Sequence, residues 1–141
     1  MRKKIFVSGC FDLLHSGHVE FFRQAAKYGD LYVSVGSDKT ILELKVRPTI
    51  NPEKERLYMV KAIRYVKEAF IASGSGMLDF ENELKKMKPD VFIVNEDGDK
   101  IEKRELCKSL GIRYVVLKRK PAKGLPLRST TDLRKMLKIS E

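Results

Sequence analysis

Only two imidazoles occur in this chain, and they sit three residues apart: His15 and His18, within Gly9-Cys10-Phe11-Asp12-Leu13-Leu14-His15-Ser16-Gly17-His18. The apolar run Ile5-Phe6-Val7 precedes this stretch and an amphipathic segment from Val19 follows it, so it reads as a turn from strand to helix. Such a turn leaves the first N–H groups of the helix without intrahelical partners, at the positive end of the helix dipole, which makes an anion site. The i, i+3 spacing puts both rings on one side of the first helical turn. Imidazole N–H groups aimed at a phosphoryl group would stabilise charge that develops in a transition state. Ser16 or Asp12 is the expected cap, and Gly17 removes a side chain where a ligand would approach. The same residues admit two plainer readings. One is a pair of exposed helix-end histidines; the other is zinc on Cys10, His15 and His18, which lacks a fourth ligand because Cys107 lies far off.

Other clusters also carry charge suited to polyanions. Lys45-Val46-Arg47-Pro48 precedes a segment bearing Arg56 and Arg64, which at eight residues apart would share a helix face and could address triphosphate oxygens. A solvated loop and a salt-bridged helix face is the alternative there. Arg128-Ser129-Thr130-Thr131-Asp132 reads as a second helix start, either a simple Ser129 cap or a receiver for β/γ phosphates through Arg128, Ser129 and Thr130. Arg119 lies in the densest basic run, Lys118-Arg119-Lys120. Asp97, in Asn95-Glu96-Asp97-Gly98, is either a ligand contact or part of an Asp-Gly turn.

The elements that must position these residues alternate in type. Strands are expected over 4–9, 31–35, 68–72, 91–94 and 114–117, and helices over 18–27, 52–65, 80–87, 100–110 and 129–138. Residues 36–51 read as a polar loop, Gly29 as a helix cap, and Gly111 as the end of its helix. The expected fold is α/β: a Rossmann-like, doubly wound sheet of five parallel strands with flanking helices, one domain over 1–141. Ligands of such sheets sit beyond the strand carboxyl ends, where every candidate residue falls.

Bulk properties narrow the function. With 29 Lys+Arg against 19 Asp+Glu, the net charge of +10 suits polyanionic ligands. The excess is spread along the chain, so small polyanions are expected in place of nucleic acid, although a basic nucleic-acid-binding module and a non-catalytic nucleotide sensor are rival classes. No apolar run approaches a membrane span, and the segment after Met1-Arg2-Lys3-Lys4 is too short for a signal peptide. Two cysteines in unrelated contexts suit a reducing, cytoplasmic setting.

Gly9-Cys10-Phe11-Asp12 followed by His15-Ser16-Gly17-His18 resembles the HxGH signature of the cytidylyltransferase-like nucleotidyltransferase superfamily, whose members transfer a nucleoside monophosphate from a triphosphate to a phosphorylated acceptor. The spacing of Leu44-Lys45 and Arg47-Pro48, then Asn51-Pro52, together with Arg128-Ser129-Thr130-Thr131, looks most like the adenylyltransferase domain of ADP-heptose synthases, and so like lipopolysaccharide core biosynthesis. The chain is also similar to glycerol-3-phosphate cytidylyltransferases and archaeal FAD synthases. Val46 and Leu127 stand where the heptose branch often has Gly, and Asn95-Glu96 replaces a commoner Gly-containing motif. The resemblance implies His15, His18 and Lys45 as catalytic, and Gly9, Cys10, Phe11, Gly17, Asp97, Arg128, Ser129 and Thr130 as nucleotide-binding. It implies Arg47, Arg56, Arg64 and Arg119 on the acceptor or its phosphates. It further implies ATP in preference to CTP, a sugar phosphate as acceptor with glycerol phosphate or FMN as alternatives, Mg²⁺ carried by the triphosphate, and a homodimer.

Overall fold

The structure, a computed structural model, describes residues 2–138. Five strands, β1 (Lys4–Gly9), β2 (Asp30–Val35), β3 (Glu68–Ile71), β4 (Val91–Asn95) and β5 (Arg113–Leu117), form one parallel sheet in the order β3-β2-β1-β4-β5. The helices are α1 (Ser16–Ala25), α2 (Asp38–Lys45), α3 (Glu53–Lys61), α4 (Glu81–Met87), α5 (Ile101–Leu110) and α6 (Thr130–Met136).

Alternation along the central strands builds the two halves of the core. Ile5 and Val7 of β1, with Val91 and Ile93 of β4, pack with Phe22 and Ala25 of α1 and Val60 of α3. Phe6, Phe92 and Val94 point the other way, onto Phe80, Leu84 of α4 and Cys107 of α5. Helices therefore cover both faces, as a doubly wound sheet requires. Strand order reverses between β1 and β4, which pair through Ile5–Val91 and Phe6–Phe92. The carboxyl ends of those two strands open the crevice in which such folds bind ligands.

Local structure departs from the sequence expectation in three places. The polar loop contains α2, whose start is fixed by Ser37 accepting from the Thr40 N–H at 3.2 Å. Only Thr40 and Ile41 of α2 are buried, too few to show a helical period. Its end, Val46, is a β-branched residue at φ 55°, a conformation natural to the Gly usual there. The third helix stops at Lys61 and not at Tyr65, because Ile63 and Val66 turn back onto the core. The first helix starts at Ser16, two residues early, and ends at Ala25 with Ala26 as its cap, so Gly29 is not the cap; a Cβ on Gly29 would lie 2.3 Å from the Lys3 carbonyl oxygen.

Candidate active site

Neither Ser16 nor Asp12 caps α1; His15 does. Its Nδ1 accepts from the Gly17 N–H at 3.0 Å, while His18 Nδ1 accepts from the His15 N–H at 3.2 Å. The rings stack with centroids 3.8 Å apart. A neutral imidazole that accepts at Nδ1 carries its proton on Nε2, so both rings keep an Nε2–H donor for a ligand. Neutrality is enforced. Burial, followed by the charges of Arg119 and Arg128, lowers the pKa of His15. Burial, then His15 and Arg119, lowers that of His18 to about 3. Gly17 is small for a reason the sequence does not show: a Cβ there would press on His15 Cε1 at 2.8 Å.

The turn before the histidines is held from both sides. Phe11 and Leu13 adopt φ of 55° and 51°, uncommon for non-glycine residues, on either side of Asp12. The Phe11 ring lies against Gly9, where a Cβ would meet it at 2.7 Å, and packs on Phe22 in the core. Buried Asp12 accepts from the N–H groups of Ile50 at 2.7 Å and Asn51 at 2.9 Å, fixing the segment just after Lys45 and Arg47. Its carbonyl accepts from Thr130 Oγ1 at 3.0 Å, which ties in the start of α6.

Around this turn lies a cleft of about 390 Å³. Of the sequence candidates it gathers Gly9, Cys10, Phe11, His15, Gly17, His18, Lys45, Arg47, Asp97, Arg119, Ser129 and Thr130. Burial pushes the Cys10 thiol up, which favours its neutral form. Arg47 Nη1 is buried in the cleft wall without a hydrogen-bond partner among the described residues. Ser129 caps α6 by accepting from the Asp132 N–H at 3.0 Å. Opposite, Asn95 closes the short 3₁₀ turn Glu96–Gly98 by accepting from the Gly98 N–H at 2.9 Å. The exposed Asp97 pairs with Arg119 at 2.8 Å.

Three arginines do not line the cleft. Arg56, 1% exposed, spends its guanidinium on the carbonyls of Cys10 (2.8 Å), Gly36 (2.7 Å) and Asn51 (3.0 Å) and on Asp38 (2.8 Å). It positions walls and has no face left for a phosphate. Arg64, beyond the end of α3, stacks over the Tyr65 ring at 5.3 Å, so the shared helix face with Arg56 does not exist. Arg128 contributes its main-chain carbonyl, which accepts from Arg119 Nη2, while its charge still reaches His15.

The family description "Cytidylyltransferase-like" matches residues 6–136. The chain belongs to the cytidylyltransferase-like family. It is a nucleotidyltransferase. Its similar proteins include one named FAD synthase from Pyrococcus horikoshii, 38% identical over 98% of this chain and 90% of that one. A second, from Methanohalophilus mahii, also named FAD synthase, is 42% identical over 72% of this chain and 74% of that one. Among solved structures, a protein titled a lipopolysaccharide core biosynthesis protein, from Thermoplasma volcanium, superposes with a TM-score of 0.69 at 24% identity, covering 87% of this chain and 100% of that one; this likeness is one of fold.

In this nucleotidyltransferase the cleft also holds residues the sequence did not single out: Phe21 and Gln24 on α1, and Lys103 on α5. Lys103 Nζ donates to the Gly98 carbonyl at 2.9 Å, and burial lowers its pKa. Nearby Asp79 is pushed up to about 6, first by burial and then by Glu83. In sequence Lys103 is one lysine among many; only the β4–α5 connection reveals it. Phe21 and Gln24 carried a signal, since they continue from His18 at three-residue steps along one helix face.

Proposed function

We propose that this protein is an FMN adenylyltransferase, moving the adenylyl group of ATP onto the phosphate of FMN with release of pyrophosphate. The observation that carries the acceptor is the likeness to proteins named FAD synthase across nearly the whole chain, 98% in the Pyrococcus horikoshii comparison. It supports FMN over the sugar phosphate to which the heptose-branch pattern leans, and it supports ATP over CTP.

The chemistry needs little of the protein beyond placement and charge. A phosphate monoester has a second pKa of about 6, so its oxygen is anionic at neutral pH. That oxygen attacks the α-phosphorus of ATP; the bond from the α-phosphorus to the bridging oxygen breaks, and its electron pair leaves on pyrophosphate. No proton has to be removed, which suits histidines whose lowered pKa values and Nδ1 hydrogen bonds make them donors and poor bases. In this reading the Nε2–H groups of His15 and His18 meet charge building on the α-phosphate and the leaving oxygen. Lys45 covers the α- or acceptor phosphate, and Arg47, with its unpartnered Nη1, takes the acceptor phosphate. Ser129, Thr130 and the start of α6 hold the pyrophosphate end.

Mg²⁺ would be carried by the triphosphate and would supply neutralisation of charge on its oxygens. The cleft carboxylates are already engaged, Asp12 by the Ile50 and Asn51 N–H groups and Asp97 by Arg119. A pyrophosphate-release screen tests the reading, pairing ATP or CTP with FMN, a sugar phosphate or glycerol 3-phosphate. ATP with FMN should give the highest kcat/KM; a higher value for CTP with glycerol phosphate, or for ATP with the sugar phosphate, overturns it.

A further inference from the structure

Lys103 is half-buried on α5 and lines the cleft. An ammonium carries three N–H donors, and the Gly98 carbonyl takes one of them, which leaves two unspent among the described residues. Lys103 belongs to the wall across from the histidines. Helix α1 packs on the sheet face of Ile5 and Val7, whereas α5 packs through Cys107 on the face of Phe6 and Val94. That second face turns polar at the carboxyl end of the sheet. Ser8 follows Phe6 by two residues, lines the cleft and pairs in register with Ser34. Ser34 Oγ is buried with no hydrogen-bond partner among the described residues. Two residues beyond it, a Cβ on Gly36 would lie 3.6 Å from Asp79 Oδ2. Asp79 is 9% exposed, and its charge and that of Lys103 favour one another. Buried polar groups are normally satisfied, so an orphan hydroxyl on the same face as an ammonium with unspent donors points to a polar ligand.

We propose that Lys103 binds the phosphorylated acceptor through a hydroxyl next to its phosphate, and that Asp79 is the positioning residue that holds Lys103 for it. This rests on the nucleotidyl-transfer reading, in which attacking and leaving oxygens stand on opposite sides of the α-phosphorus. Pyrophosphate is there assigned to Ser129 and Thr130, which lie against the turn that starts α1. Thr130 Oγ1 donates to the Asp12 carbonyl, and a Cβ on Gly17 would lie 3.5 Å from the Arg128 carbonyl. The acceptor therefore enters from the α5 side, where Lys103 waits. A neutral hydroxyl suits this ammonium better than a second phosphate does, because the carboxylates of Asp79 and Asp99 already act on its charge. FMN, sugar phosphates and glycerol 3-phosphate all carry hydroxyls near the phosphate, so the contact does not depend on which of them is the acceptor.

The test is steady-state kinetics on the full chain, with thermal melts confirming that each variant is folded. Lys103→Met should raise the KM for FMN about tenfold, the loss of one hydrogen bond to a charged donor, and leave the KM for ATP within twofold. Lys103→Arg should recover most of that loss. Asp79→Asn, which keeps the shape and removes the charge, should raise the KM for FMN about threefold, again without moving that for ATP. An FMN analogue whose ribityl chain lacks hydroxyls should bind the wild-type chain more weakly than FMN does and be indifferent to Lys103→Met. Equal changes for ATP and FMN, or for ATP alone, overturn the assignment, because Lys103 would then merely hold the Gly98 turn or serve the nucleotide. An analogue that loses as much as FMN does overturns the hydroxyl contact. Should the wild-type chain use a sugar phosphate or glycerol 3-phosphate and not FMN, the flavin reading fails, and the same KM comparison with that acceptor still decides the role of Lys103.

Discussion

One wall of the cleft, made by the histidine turn and the end of α2, is fastened by groups withdrawn from water. Arg56 is 1% exposed and Asp12 2%, and between them they hold the carbonyls of Cys10, Gly36 and Asn51 and the N–H groups of Ile50 and Asn51. The facing wall, the β4 turn and the segment before α6, is held by Arg119 on Asp97, whose side chains are 31% and 59% exposed. Buried charge networks lose heavily when one member is removed, whereas exposed ion pairs contribute little. The two imidazoles are thereby built into a wall held by buried bonds, whereas the ion pair of the facing wall is open to solvent. Position matters most where the phosphorus reacts.

The sharpest way to break this contrast is Arg56→Met. It leaves Asp38 and three carbonyls without their donor, and should cost about 3–5 kcal/mol in denaturant unfolding. A loss below about 1 kcal/mol would mean that the two walls are held alike.

Next in size is His15→Ala. Removing one transition-state donor should slow turnover by roughly 10²–10³. Because His15 also caps α1, stability should fall by about 1 kcal/mol. His15→Asn separates the roles: Asn caps well, so thermal stability should return while the rate stays low.

Acid sharpens the same comparison. Folding holds His18 at about 3 against an unfolded value near 6.5, so the unfolded chain binds the proton more readily. The neutral-histidine contribution is complete above pH ~6.5 and is lost as pH falls from there toward 3. Unfolding free energy measured against pH should decline across that window, less steeply in His18→Gln. Equal slopes in the two proteins would contradict a buried neutral His18.

The smallest effect is expected on the exposed wall. Arg119→Ala should change unfolding free energy by about 1 kcal/mol or less. Its consequence should appear in nucleotide affinity, measured by calorimetry. A loss as large as that of Arg56→Met would make both walls structural.

Much of this was legible in the sequence, for identifiable reasons. Parallel strands buried on both faces read as apolar runs, and the histidine turn is marked by local spacing alone. Arg56 misled because its partners come from three separate turns; a guanidinium facing phosphate and one facing main-chain carbonyls look the same in sequence. The Arg64 error has a different origin, since the end of α3 is set by where Ile63 and Val66 reach the core. Asp12 suggested a local cap, and its bonds instead reach 38 and 39 residues along the chain.

The most direct measurement is single-turnover FAD formation from ATP and FMN by the wild-type chain and by His18→Ala. Wild type should yield FAD and pyrophosphate in equal amounts, and His18→Ala should be slower by roughly 10²–10³ with ATP affinity changed only a few-fold. FAD formed by His18→Ala at near wild-type rate, or no FAD from the wild type, would contradict transfer to FMN at the histidine turn.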